Sequence, residues 1–476
     1  MRISRILISC ILAFLFVRLA VATDAVAESG DYVVAISKAT KADQEWAKVS
    51  EALLRKHHGV ESVYESDVAD CLGALKQSLP RYVCFVARPE EATREFVVKI
   101  HRLTRKLNDD PYGDCLWGIV TGFDAKSAMR IASCSEPLLI RKGSAGTGLN
   151  LDVFDEGVWF SEGTAGEFWQ KAAGGKAEKK SGPADSIKAL VDTFNTYQPD
   201  FFLTSGHASE YDWQPGYSYR NGDFRSRNGQ LIGRDLQNAL QPVNSPNPKV
   251  YLAAGNCLIG HVKDKNSMAL AWLGSGGANQ MVGYTVVTWY GAMGWGTKDF
   301  FFDLPGRYSL AEAFYFSNQA ILHKLQTRFP ADAKFEFNSW DLESNQGLLN
   351  EYAKKLTPQK SEQDVKDLLG LLWDRDTVAF YGDPGWVARL APRELPLNTE
   401  IVEKDGSFHY LVHVTKACLP GKPLSMLLPK RVKDVELVHG QEFEPLITSN
   451  AIMLMKSGSF EAGKTYDVEF KAKVVK

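Results

Sequence analysis

Cys257 and His207 are the residues of this chain whose types and positions point to chemistry. The cysteine closes KVYLAAGNC, an apolar run that turns on small residues; the histidine closes DFFLTSGH, a run of the same kind fifty positions earlier. A thiolate attacks a carbonyl carbon, and an imidazole beside it shuttles the proton that an acyl transfer moves to the leaving amine. Such a reaction also needs N–H donors for the oxyanion, and the amides of Cys257 and Ala208 are the candidates. The small residues of Ala254-Gly255 and Ser205-Gly206 let backbone amides approach a substrate closely. A cysteine at a strand end is often only a small hydrophobe, and a single histidine is often structural. The repeated pattern, strand then reactive side chain, sets this pair apart.

For the two side chains to meet, their strands must deliver them to one crevice at the carboxyl edge of an open α/β sheet. The rest of the chain predicts such a sheet. DYVVAISK, VESVYE, RYVCFVAR and CLWGIVTG read as strands, separated by the helical QEWAKVSEALLRKHHG and VADCLGALKQSL; DAKSAMRIAS follows as a further helix. This alternation implies crossover connections and a largely parallel sheet. GVWFSEG is a further strand, GKAEKKSGPAD an exposed loop, and DSIKALVDTFNTY and SLAEAFYFSNQAILHKLQ are helices. KVYLAAG and NQMVGYTVV add strands, and the parallel-sheet pattern ends near Leu390. Beyond it, SFHYLVHVT, PLSMLLP, DVELVHG, AIMLMKSG and TYDVEFKAKV are short strands between turns, read as an immunoglobulin-like β-sandwich. The divisions are residues 1–27 as a signal peptide, 28–140 and 141–392 as two α/β subdomains, and 393–476 as the sandwich.

Composition narrows the partners. A formal net charge of -2 over 476 residues gives no basic field for nucleic acid. Arg2 and Arg5, the apolar run from Ile6 to Val17 and the small residues around Ala20-Val21-Ala22 have the layout of a signal peptide. No later stretch is apolar enough to span a bilayer, so the mature chain is expected to be secreted, extracellular or periplasmic, without a stable membrane span. Six cysteines follow Cys10, too sparse for a disulfide-built scaffold, and none has zinc-ligand spacing. No EF-hand loop occurs either.

The blocks FFLTSGHASEYDW and VYLAAGNCLIGH resemble the histidine and cysteine blocks of the gingipain-type peptidases, relatives of caspases and legumains. TVAFYGDPGWVARL is similar to the block that closes their catalytic domains, and DPYGDCLWGIVTGFDAKSAMRIA to the end of their first subdomain. The resemblance covers about residues 31 to 390 and implies a caspase-like fold, with a β-sandwich following. It implies that Cys257 is the nucleophile of a cysteine endopeptidase and His207 its general acid/base. Glu162 falls where the family places a glutamate that contacts the histidine, and Trp289 where a tryptophan lines the substrate cleft. The substrates implied are proteins or peptides; no cofactor is required, and structural calcium is compatible with the family. His261, four positions beyond Cys257, shares its turn and is expected to point away.

Two positions depart from the family's pattern. His207-Ala208 stands where the family has His-Gly, which would strain the alanine if the backbone angle there favours glycine. Asn256 stands where a smaller residue is commoner. The alternative function is a catalytically silent exported binding or adhesion protein of the same fold, docking through its sandwich. A cysteine α/β-hydrolase fits less well: in Gly255-Asn256-Cys257-Leu258-Ile259-Gly260 the second glycine comes one position late for the nucleophile elbow.

Overall fold

The computed structural model describes residues 30–338, 346–356, 361–456 and 458–475. The signal-peptide reading falls on residues 1–27, outside the described residues. Twelve strands form one large sheet. In chain order they are β1 (Tyr32–Ser37), β2 (Val60–Tyr64), β3 (Tyr82–Val86), β4 (Leu116–Val120), β5 (Lys142–Ala145), β6 (Glu156–Phe160), β7 (Glu167–Lys171), β8 (Glu178–Ser181), β9 (Phe201–Thr204), β10 (Lys249–Ala253), β11 (Ala278–Tyr284) and β12 (Val378–Gly382). Their spatial order is β2-β1-β3-β4-β12-β11-β10-β9-β5-β6-β7-β8, so the strands of both expected α/β subdomains join in one sheet. Pairing is parallel from β2 through β4 and again from β11 through β6. Strands β1, β4, β10 and β11 are buried along their whole length, which is why they read as continuous apolar runs.

Helices flank the sheet on ends that the chain caps locally. α1 (Gln44–His57) starts at Asp43, whose side chain accepts from Glu45 and Trp46 N–H, and ends with His58 in the left-handed region just before Gly59. It groups with α3 (Ala125–Ala132). The other group comprises α2 (Arg94–Thr104), α4 (Ala292–Asp303), α5 (Leu310–Arg328) and α6 (Glu362–Thr377). A capping box between Ser309 and Glu312 opens α5.

Three features differ from the sequence expectation. The segment GKAEKKSGPAD is not all loop, because Glu178–Ser181 pairs antiparallel with β7 as the sheet's edge. Within a sheet that is largely parallel as expected, strand β12 is an exception and runs antiparallel to β11. Between β9 and β10 the chain also builds a four-stranded antiparallel sheet from Asp212–Trp213, Asp223–Arg227, Gln230–Arg234 and Leu240–Pro242. After Leu390 come two antiparallel sheets of four and three strands, which share one core built on Leu397, Phe408, Tyr410, Ile452, Leu454 and Phe470. Among the described residues no helix is long and apolar enough to cross a membrane.

Candidate active site

Strands β9 and β10 are parallel neighbours with Thr204 opposite Ala253, so the chain leaves both at the same edge of the sheet. One further ladder bond, Ala254 N–H to Thr204 O at 3.1 Å, carries the pairing past the strands. The two loops are then clasped by Asn256. Its buried side chain accepts from Thr204 Oγ1 and donates from Nδ2 to Gly206 O at 3.1 Å. The residues on either side of this clasp are His207 and Cys257.

Cys257 is half-buried, and Thr288 N–H donates to its Sγ at 3.3 Å. Thr288 lies in the segment joining β11 to α4, which packs against the end of α6. Thr285 donates to Thr377 O from both N and Oγ1, and Trp373 Nε1 donates to Val287 O at 3.3 Å. Trp289 meets Trp373 edge to face, with centroids 6.5 Å apart. The Asp374 carboxylate accepts from Met293 N–H and Tyr284 OH, each at 3.1 Å, and so caps α4. Burial pushes the Asp374 carboxyl up to about 7. Leu258, directly after Cys257, sits at φ 58°, a conformation that costs a non-glycine residue about 1 kcal/mol. Its N–H is tied to Val286 O at 2.9 Å.

His207 is exposed, and its carbonyl accepts from Gln214 N–H at 2.9 Å. Ser209 N–H donates to Asp212 O, so Ala208 and Trp213 face each other as a non-hydrogen-bonded antiparallel pair. In such a pair the N–H of Ala208 points away from the Trp213 strand. Ala208 does not have a positive φ; the left-handed residue of this loop is Gly206, at φ 88°. The expected strain of an alanine at position 208 is therefore absent. The Glu162 carboxylate accepts from Thr147 Oγ1 at 2.8 Å and from Ser205 Oγ at 2.7 Å. Its side chain thus meets the histidine loop at Ser205, two residues before His207. The His207 ring itself stacks on Tyr217, with centroids 5.2 Å apart and planes at 21°.

His261 lies against Arg94, whose Nη2 is 3.3 Å from His261 Nδ1. A guanidinium only donates, so this ring nitrogen accepts. Burial, reinforced by Arg94, pushes the His261 pKa down to about 4. Arg94 Nε also donates to Thr285 O at 2.8 Å, tying α2 to the Trp289 segment.

Sequence reasoning missed several neighbours of the pair. Trp295, one turn into α4, occupies the space beside Gly255 and Gly291: a Cβ on either would lie 3.2 Å from its ring. Thr288, Tyr217 and Asp374 were missed as well, since each acts through a contact distant in sequence. Asn256 was visible only as a residue larger than the one gingipain-type peptidases commonly have there. Among the described residues no group of three or more His, Cys, Asp or Glu side chains is arranged to hold a metal ion.

No family model matches the sequence, and no curated protein matches it. Among solved structures, the chain is similar to the complex of Porphyromonas gingivalis RgpB pro- and mature domains. That likeness has a TM-score of 0.45 and 11% identity, over 92% of this chain and 99% of that one. It is also similar to the crystal structure of the Arg-specific cysteine proteinase gingipain R (RgpB). There the TM-score is 0.41 and the identity 11%, over 93% of this chain and 98% of that one.

Proposed function

We propose that this chain is an exported cysteine endopeptidase acting through a Cys257/His207 dyad. The observation that carries the reading is the clasp: adjacent parallel strands bring a thiol and an imidazole to one edge, and Asn256 joins the two loops that bear them. The likeness of FFLTSGHASEYDW and VYLAAGNCLIGH to gingipain blocks adds to it.

In this reading the Cys257 thiolate, held by Thr288 N–H, attacks the scissile carbonyl while Ala208 N–H and the Cys257 amide receive the developing oxyanion. His207 gives a proton to the leaving amine, and a thioester acyl-enzyme forms. Water, deprotonated by His207, then hydrolyses the thioester and restores the thiol. Trp289 lines the cleft where the substrate lies, and Glu162 holds the histidine loop through Ser205. Substrates are proteins or peptides.

The test is to incubate the protein and its Cys257→Ala variant with a mixed peptide library and read cleavage sites by mass spectrometry. Cleavage by the parent alone is the expected result and also gives the preferred residue. No cleavage by either, with both folded, moves the reading to a silent binding protein.

A further inference from the structure

A catalytic histidine works only if its ring is held in one orientation, and a hydrogen-bonded third group commonly does this. Here the carboxylate in the neighbouring loop, Glu162, receives its two side-chain hydrogen bonds from Thr147 and Ser205. What lies flat against the imidazole is the ring of Tyr217. Tyr217 is 63% exposed, yet its backbone is firmly anchored. The N–H groups of Tyr217 and Ser218 both donate to the Glu162 carbonyl, at 2.6 and 3.1 Å. Tyr219 OH donates to Ser161 O at 2.8 Å. Gly216 turns the chain at φ 92°, with the Tyr219 ring 2.9 Å from where a Cβ would stand. The Gly216–Tyr219 turn is therefore fixed to the Ser161–Glu162 backbone. Glu162 holds both sides of the histidine: its side chain through Ser205, its main chain through the turn that presents Tyr217.

We infer that Tyr217 is the positioning residue of His207, orienting the imidazole by ring stacking where other dyads use a hydrogen-bonded carboxylate. This rests on the reading of Cys257 and His207 as a peptidase dyad. Stacking fixes the plane of the imidazole and leaves both ring nitrogens for proton transfer. The electron-rich face of the phenol also attracts the imidazolium formed when the thiol proton arrives.

The parent, Tyr217→Phe and Tyr217→Ala are compared after thermal melts show all three folded. On a peptide that the parent cleaves, Tyr217→Phe should stay within about threefold of the parent. Tyr217→Ala should lose about 10- to 100-fold in kcat with KM little changed, because misplacing a reacting group costs rate rather than binding. Parental kcat in Tyr217→Ala, or equal losses in both variants, overturns the proposal. Alkylation of Cys257 by iodoacetamide, followed by peptide mass spectrometry, reports on the dyad without turnover. It should slow in Tyr217→Ala and not in Tyr217→Phe; equal rates in all three proteins also overturn the proposal. If the parent cleaves nothing, the peptidase reading falls, and the alkylation rates alone decide the role of Tyr217.

Discussion

Truncating Asn256 to alanine strips the Gly206 carbonyl of its side-chain donor and leaves the Thr204 hydroxyl with Tyr251 alone. A lost buried hydrogen bond of this kind costs about 1 to 3 kcal/mol. Asn256→Ala is therefore expected to lower stability by that amount in urea denaturation. On the proposed peptidase reading, cleavage and Cys257 alkylation should fall more steeply, since the loops bearing His207 and Cys257 lose their link. Asn256→Asp keeps the acceptor for Thr204, replaces the donor to Gly206 by an oxygen and buries a charge, so it should be the less stable of the two. That the chain leaves the sheet at one edge before His207 and before Cys257 was legible in the sequence, because each residue ends a run apolar enough to be a buried strand. The clasp was not, because the partners of Asn256 lie about fifty positions away and its type suggested only a misfit. The same holds for Thr288, which acts on the sulfur through a backbone N–H that any non-proline residue would supply.

The segment between β11 and α4 owes its place to the end of α6, where Asp374 caps α4 from a buried position. Its Oδ1 is buried with no hydrogen-bond partner among the described residues, so burial outweighs the donors on Oδ2 and raises the pKa to about 7. An unfolded aspartate ionises near 4, so between about pH 4 and 7 the folded chain holds the extra proton. The contribution of Asp374 to stability therefore falls as pH rises through that window. Asp374→Asn should flatten this slope, as read from urea midpoints at the two ends of the window. Asp376 has the opposite sign: Arg105 and Arg375 outweigh burial and hold it well below the usual range, so its contribution is lost on acidification. At this scale the buried strands were legible as apolar runs, and helices such as α1 and α5 from their periodicity and caps. The edge strand Glu178–Ser181 was not, since its residues are polar and exposed and only the partner strand β7 makes it a strand. Nor does the run TVAFYG carry any mark of direction, so the antiparallel pairing of β12 is set by the path of α6 into it.

The terminal sandwich is bound to the α/β body by buried and half-buried guanidinium groups. Arg431, buried, donates to Pro80 O and Asp114 O at 2.5 and 2.6 Å. Arg307 reaches the other way, to Thr399 Oγ1, Tyr410 OH and Ser425 O at 2.7, 3.2 and 2.9 Å. Arg81 donates to Leu428 O at 2.8 Å, and Asp303 accepts from Gly421 and Lys422 N–H. Arg431→Ala leaves two carbonyls without this donor and should cost about 2 to 4 kcal/mol. Calorimetry is expected to show one unfolding transition in the parent and two in the variant, as the sandwich melts apart from the body. The change from alternating α/β to short strands near Leu390 was plain in the sequence. The bolts were not, because an arginine reads alike on a surface and in a junction. These bolts also change what a cut in the connecting segment 392–396 would do. A chain nicked there should still travel as one particle in gel filtration and part into two bands only under denaturing electrophoresis, the tail retained by the arginines of both parts after its covalent tether is gone.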